Sequence, residues 1–135
     1  MKPFAIWLAI VAVVFGGYAL ISSSLQETSR VFVVVDTSVG MAPLDDEIRR
    51  ELDSIDDRDD AEFALANVSS RPSNSGLVHT WQSQLRWNSA PRFGPCSLDD
   101  IESFSEAADA DDRLLITTDE CDTSALVDWE IVILD

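Results

Sequence analysis

The longest apolar run of the sequence lies near its amino-terminal end. Eighteen consecutive residues, 4–21, carry no charge. A helix of that length extends about 27 Å, which is close to the hydrocarbon thickness of a bilayer. Lys2 precedes the run and predicts a cytoplasmic amino terminus. We expect residues 1–22 to form a transmembrane signal anchor, residues 23–30 to form a linker, and the remainder to lie outside the cytoplasm.

A cleaved signal peptide is the alternative interpretation of this run. Gly16 and Gly17 can end a shorter apolar region, and the small residues 22–24, all serine, suit a signal peptidase. Both interpretations place the rest of the chain on the periplasmic side of the inner membrane. The retained anchor, which gives a single-pass protein, is the prediction that we carry forward.

The pattern changes after the linker, where short apolar runs predict buried strands. The first of these runs is residues 31–35, which are all valine or phenylalanine. Continuous β-branched and aromatic runs are typical of strands covered on both faces, as in parallel sheets. Three further apolar runs predict strands at residues 62–68, 114–118 and 129–134.

Two helices and one half-exposed strand complete the predicted pattern. Residues 43–55 carry a helical stripe of Leu44, Ile48, Leu52 and Ile55. Residues 77–87 alternate strictly, which predicts an antiparallel strand at a sheet edge. Residues 97–108 predict a second helix with Ser97 as its cap. The order β-α-β-β-α-β-β predicts one α/β domain over residues 31–135, hereafter the body, with a small, Rossmann-like, mainly parallel sheet.

Charge narrows the classes of function. The chain has 25 acidic against 9 basic residues, and its formal net charge is −16. A surface of this sign repels a phosphate backbone, so we expect no binding to nucleic acid. Most of the acidic residues are expected to form a solvated surface.

Sequence motifs of catalysis are missing. The chain has neither a glycine-rich phosphate loop nor a Gly-x-Ser-x-Gly elbow. The single histidine, His79, lies in the alternating strand, and paired carboxylates occur only at predicted helix starts and turns. We therefore expect a protein that is not an enzyme.

The most specific pattern is the segment Val31-Phe-Val-Val-Val-Asp-Thr-Ser-Val-Gly-Met41. Asp36 ends a predicted buried strand and Ser38 follows it, so two oxygen ligands lie at the edge where α/β sheets bind ligands. Together with Leu114-Leu-Ile-Thr-Thr-Asp119, this segment resembles the von Willebrand factor type A domain. In that family an Asp-x-Ser-x-Ser motif, a threonine and a later aspartate surround Mg²⁺ in a metal-ion-dependent adhesion site.

The resemblance implies a degenerate adhesion site in this chain. Asp36 and Ser38 match the first two ligands, and Asp119 matches the later aspartate. Gly40 replaces the second serine, and Ser97 stands nearest to the family's threonine. Two outcomes stay open: a weak Mg²⁺ site, or carboxyl groups that only cap their turns. No cofactor is expected beyond that Mg²⁺.

The resemblance also implies a truncated domain, because family members are usually longer and have one or two further strand–helix units. Sheet surface is then left uncovered, and Trp81, Trp87 and Trp129 are the predicted contacts to a protein partner.

The two cysteines provide an independent prediction. Cys96 and Cys121 fall in predicted loops at one edge of the sheet, and the compartment is oxidising if the body lies outside. We expect a disulfide between them, with two free buried thiols as the alternative.

Two functions remain open on the sequence. The first is a membrane-anchored, extracytoplasmic protein-binding module. The second is a small accessory subunit that its helix assembles into a larger membrane complex.

Overall fold

The computed structural model describes residues 2–24 and 27–135. Helix α1 spans Lys2–Ser24. Its side chains are described at residues 5–17, where large apolar ones such as Trp7, Val13 and Phe15 are 68%, 74% and 71% exposed. The predicted anchor (1–22) and linker (23–30) each include residues that lie outside this description. Over the ranges described, no helix was found that has both the length and the apolar character needed to cross a membrane.

A single five-stranded mixed sheet organises the body. The strands are β1 (Ser29–Asp36), β2 (Ala61–Val68), β3 (Gly76–Gln82), β4 (Asp112–Thr118) and β5 (Glu130–Leu134). Their spatial order is β3-β2-β1-β4-β5. All neighbours pair in parallel except β2 and β3, which are antiparallel. The predicted mainly parallel α/β sheet with an antiparallel edge strand is confirmed.

Strand β1 lies at the centre of the sheet because its residues are apolar on both faces. Residues 31–35 are at most 1% exposed. Val31, Val33 and Val35 face one core, and Phe32 and Val34 face the other. Burial of each such side chain stabilises the fold by about 1.5–3 kcal/mol. The central position follows from this two-sided burial.

Helix α2 (Asp45–Asp56) covers the first face of the sheet. Its stripe of Ile48, Leu52 and Ile55 is buried in the core that the valines of β1 form. The helix starts two residues later than the predicted Pro43, because residues 39–44 form a 3-10 helix after β1. Acidic residues at the amino-terminal turn of α2 favour the positive end of the helix dipole.

The second face of the sheet differs from the sequence prediction. The predicted helix over residues 97–108 is wrong: a 3-10 turn spans Ile101–Ser103, and helix α3 spans only Ser105–Asp109. Phe104 separates the two with an extended backbone (φ −69°, ψ 133°). Its ring centroid lies 5.7 Å from that of Phe32. Phe104 thus packs against the central strand at the point where the predicted helix is interrupted.

The alternating segment also ends earlier than predicted. Strand β3 stops at Gln82, and the chain then crosses to the other face of the sheet. Trp81 packs against the core around Phe32, whereas Leu85 and Trp87 pack with helix α2. The alternation to residue 87 therefore does not belong to one strand.

The loop after β3 is fastened to helix α2. Arg92 pairs with the Asp45 carboxylate and lies over the Trp87 ring, 5.3 Å from its centroid. Ser89 donates a hydrogen bond to Asp45 over 2.8 Å. This hydrogen bond from Ser89 lowers the pKa of Asp45, and the hydrogen bond and positive charge of Arg92 lower it further. The Phe93 N–H also donates a hydrogen bond to the carbonyl oxygen of Thr37, so the loop lies beside the residue that follows β1.

Candidate functional site

The candidate site lies where β1 and β4 end, hereafter the carboxyl edge. Asp36 is the last residue of β1, and Thr118 is the last residue of β4. The two strands are parallel neighbours with Val35 opposite Ile116. Asp36 is completely buried, and Thr117 and Thr118 are 0% and 7% exposed. The register brings a carboxyl group and two hydroxyl groups to one edge of the sheet.

The Asp36 carboxylate accepts three hydrogen bonds from nearby groups. Ser38 donates its backbone N–H to Oδ1 over 2.8 Å and its hydroxyl to Oδ2 over 3.0 Å. Thr117 donates its hydroxyl to Oδ2 over 2.8 Å. Buried polar groups are stable only when they are paired in this way. Asp36 therefore joins the turn after β1 to the end of β4.

The predicted disulfide is confirmed, and it lies beside Asp36. Cys96 and Cys121 are bonded, with their Cα atoms 5.5 Å apart. Both sulfur atoms and a carboxylate oxygen of Asp36 lie within 4.8 Å of one another. Cys121 is buried, and it follows β4 by three residues. The covalent link thus closes the carboxyl edge at the position of the central aspartate.

The space beside Gly40, where the resembled motif has its second serine, is occupied by the Glu120 side chain. A Cβ atom on Gly40 would lie 2.7 Å from Oε2 of Glu120 and 3.6 Å from the hydroxyl of Thr118. That hydroxyl is buried and has no hydrogen-bond partner among the residues that the structure describes. A serine at position 40 would supply one, provided that the exposed Glu120 side chain rotates away. Position 40, where the resembled motif has a serine, therefore lies next to the unpaired hydroxyl of Thr118.

The other predicted ligands lie apart from these contacts. The Ser97 hydroxyl donates to Asp99 over 3.4 Å, and Asp119 is exposed. The hydroxyl groups that contact Asp36 belong to Ser38 and Thr117 instead. Thr117 was missed because the sequence pattern presents it only as the end of a strand. Parallel pairing with β1 was the signal that could have identified it.

The donor set does not fit a Mg²⁺ ion. Magnesium requires nearly octahedral oxygen coordination and keeps several waters. Asp36 has no exposed surface, and both of its oxygens already accept hydrogen bonds. Its remaining surroundings include two disulfide sulfurs, which are not ligands for a hard cation. The Asp36 carboxylate and the hydroxyl groups at this edge therefore form hydrogen bonds with one another rather than a metal site.

The three tryptophans predicted as partner contacts differ in exposure. Trp87 and Trp129 are 9% and 7% exposed and belong to the two cores. Trp129 packs against Phe32 with ring centroids 6.0 Å apart. Trp81 is half-buried, with the Arg30 guanidinium 5.2 Å from its ring centroid. Only Trp81 retains surface of its own that a partner can contact.

His79 is engaged in local contacts on β3. Its Nδ1 lies 2.8 Å from the carbonyl oxygen of Thr80, and its Nε2 accepts a hydrogen bond from the Arg86 backbone N–H. These contacts hold the residues after β3 against the strand.

Comparison with protein-family models, with curated proteins and with solved structures found no match to this chain. The interpretation of the site therefore rests on its geometry and on the sequence pattern.

The degenerate site gives a first testable prediction. Titration calorimetry with Mg²⁺ and with Mn²⁺ is expected to detect no micromolar binding to the full chain, because Asp36 is enclosed and position 40 has no hydroxyl group. The matched variants are Gly40→Ser, which restores the motif, and Asp36→Asn, which removes the charge. A micromolar affinity of the natural chain that Asp36→Asn abolishes would contradict the prediction.

Proposed function

We propose that the chain is a membrane-anchored, extracytoplasmic protein-binding module without catalytic activity, and that its body is a truncated, degenerate relative of the von Willebrand factor type A domain. The observation that carries the proposal is the enclosed Asp36 carboxylate at the carboxyl edge. Asp36 occupies the motif position, but hydrogen bonds and a disulfide surround it where the family has a metal ion. A site in this state supports binding through surface contacts rather than chemistry on a substrate.

The arrangement of the sheet supports the resemblance. The motif aspartate ends the central strand, and Thr117 and Thr118 end β4, its parallel neighbour, with Asp119 directly after them. A helix on one face and an antiparallel edge strand follow the motif, as the resemblance implies. The five strands are consistent with the shortened body.

The amino-terminal run supports an anchor. Residues 4–21 are uncharged, and the apolar side chains described at 5–17 point away from the helix axis without cover from the body. Such side chains require an apolar environment. The disulfide agrees with a body outside the cytoplasm, since disulfides persist in oxidising compartments.

An accessory subunit of a membrane complex is the alternative, and the exposed apolar face of α1 favours it. In that case the helix binds the other subunits and the body is a cap. Replacing residues 4–21 by an unrelated transmembrane segment separates the two functions. We expect the replaced chain to retain its partner after extraction in mild detergent. Loss of the partner with a correctly folded body would support the accessory subunit instead.

A further inference from the structure

A cavity of about 510 Å³ opens at the carboxyl edge next to the disulfide. One wall is formed by Cys96 and Cys121, whose sulfur atoms also lie within 4.8 Å of a carboxylate oxygen of Asp36. The floor is apolar, with Ile101 2% exposed and Leu98 and Leu126 half-buried. The volume lies within the range of sites for small groups. The disulfide fixes the wall, so the cavity is pre-formed.

The rim of the cavity carries negative charge. Asp99, Glu102 and Asp122 line it and are exposed. The side-chain and backbone hydrogen bonds from Ser124 lower the pKa of Asp122, which favours the charged form of this rim group. Among the described residues, no arginine or lysine lines the cavity. The three carboxylates therefore lack a basic partner within it.

The topology of the sheet independently indicates a binding position. The chain leaves β1 toward β2 on one side, whereas β4 lies on the other side of β1. Ligands of open α/β sheets bind in the crevice beyond the strand ends where the order reverses in this way. Four residues that line the cavity belong to the segment that follows β4 at that reversal, namely Cys121, Asp122, Ala125 and Leu126.

We propose that this cavity binds a single arginine or lysine side chain that a partner protein presents on an exposed segment. The apolar stem of that side chain packs on Leu98, Ile101 and Leu126, and its cationic head lies among the rim carboxylates. Long basic side chains have this division between an apolar stem and a charged head. The proposal rests on the proposed protein-binding function and identifies the surface and the partner chemistry for it.

A peptide probe tests the cavity directly. The full chain, with ¹³C-labelled leucine and isoleucine methyl groups, is placed in non-ionic detergent micelles. It is titrated with a blocked pentapeptide of glycines around a central arginine. We expect saturable shifts of the Leu98, Ile101 and Leu126 methyl signals with a dissociation constant on the order of 1 mM. The same peptide with citrulline, which has a similar shape without the charge, is expected to cause no shift.

Two triple variants with equal charge change serve as the comparison. Asp99→Asn, Glu102→Gln and Asp122→Asn together are expected to weaken the arginine peptide about 5-fold or more, because three ion pairs are lost. The matched control, Asp53→Asn, Asp57→Asn and Asp59→Asn, alters exposed carboxylates on α2 and the following turn. It is expected to change the affinity less than about 2-fold, through long-range charge alone.

Several outcomes would overturn the proposal. These are an absence of methyl shifts, equal shifts with citrulline, and equal weakening in both triple variants. Concentration-dependent shifts of the chain alone would identify a second copy as the occupant and would also overturn it. Retention of the partner by the rim variant tests the proposed function separately. If the rim variant retains its partner as well as the natural chain does, the cavity assignment fails while protein binding by the body stands.

Discussion

Removal of the Cys96–Cys121 disulfide is expected to lower the free energy of unfolding of the body by about 3.5 kcal/mol. The bond joins residues 25 positions apart, and the chain-entropy estimate for such a loop has this size. Single domains are stable by only about 5–15 kcal/mol, so a large part of the total is lost. Urea unfolding of the oxidised and the reduced chain, followed by the fluorescence of the buried tryptophans, measures the difference.

The control for this experiment is the double variant Cys96→Ala and Cys121→Ala. It is expected to resemble the reduced chain, and the reductant is expected to change it no further. A chain whose stability is the same with and without reductant would show that the disulfide does not fasten the carboxyl edge. Two thiols that alkylate in protein from native membranes would contradict the bond itself.

Replacement of Asp36 by alanine is expected to cost about 3–5 kcal/mol, which is the second large effect. The substitution leaves the Ser38 N–H and the hydroxyls of Ser38 and Thr117 without their acceptor in a buried site. Each buried unsatisfied polar group costs about 1–3 kcal/mol, and the hydroxyls can partly reorient. The same urea unfolding experiment measures the loss.

Two variants show whether hydrogen bonding is the cause. Asp36→Asn keeps one acceptor oxygen and is expected to cost less than the alanine variant does. Asp119→Ala removes an exposed carboxylate at the same edge and is expected to change stability by less than about 0.5 kcal/mol. Equal effects of the Asp36 and Asp119 alanine variants would contradict the structural role of Asp36.

The parts of the fold that follow from simple patterns were predictable from the sequence. The apolar run at 31–35 identified the central strand, and the stripe of Ile48, Leu52 and Ile55 identified α2. The region after Cys96 was not predictable in this way. There Phe104 has an extended backbone and packs against Phe32, and such a contact depends on residues distant in the chain.

The site was predictable only in outline. Asp36 and Ser38 are two positions apart in sequence, so their pairing follows from the local turn. The partnership of Asp36 with Thr117, 81 positions away, depends on the parallel pairing of β1 and β4. Likewise, the alternation that led to Trp87 gave no sign that the chain changes face after Gln82.

The most direct test of the central claim is recovery of the partner with and without a chelator. The chain whose residues 4–21 are replaced is extracted from membranes after mild cross-linking, in Mg²⁺ or in excess EDTA. Recovery of the same partner in both conditions is the predicted result, because the proposed function assigns protein binding to the body and requires no metal ion at the enclosed Asp36. Loss of the partner when the segment is replaced would contradict the account. Loss of the partner in EDTA but not in Mg²⁺ would also contradict it.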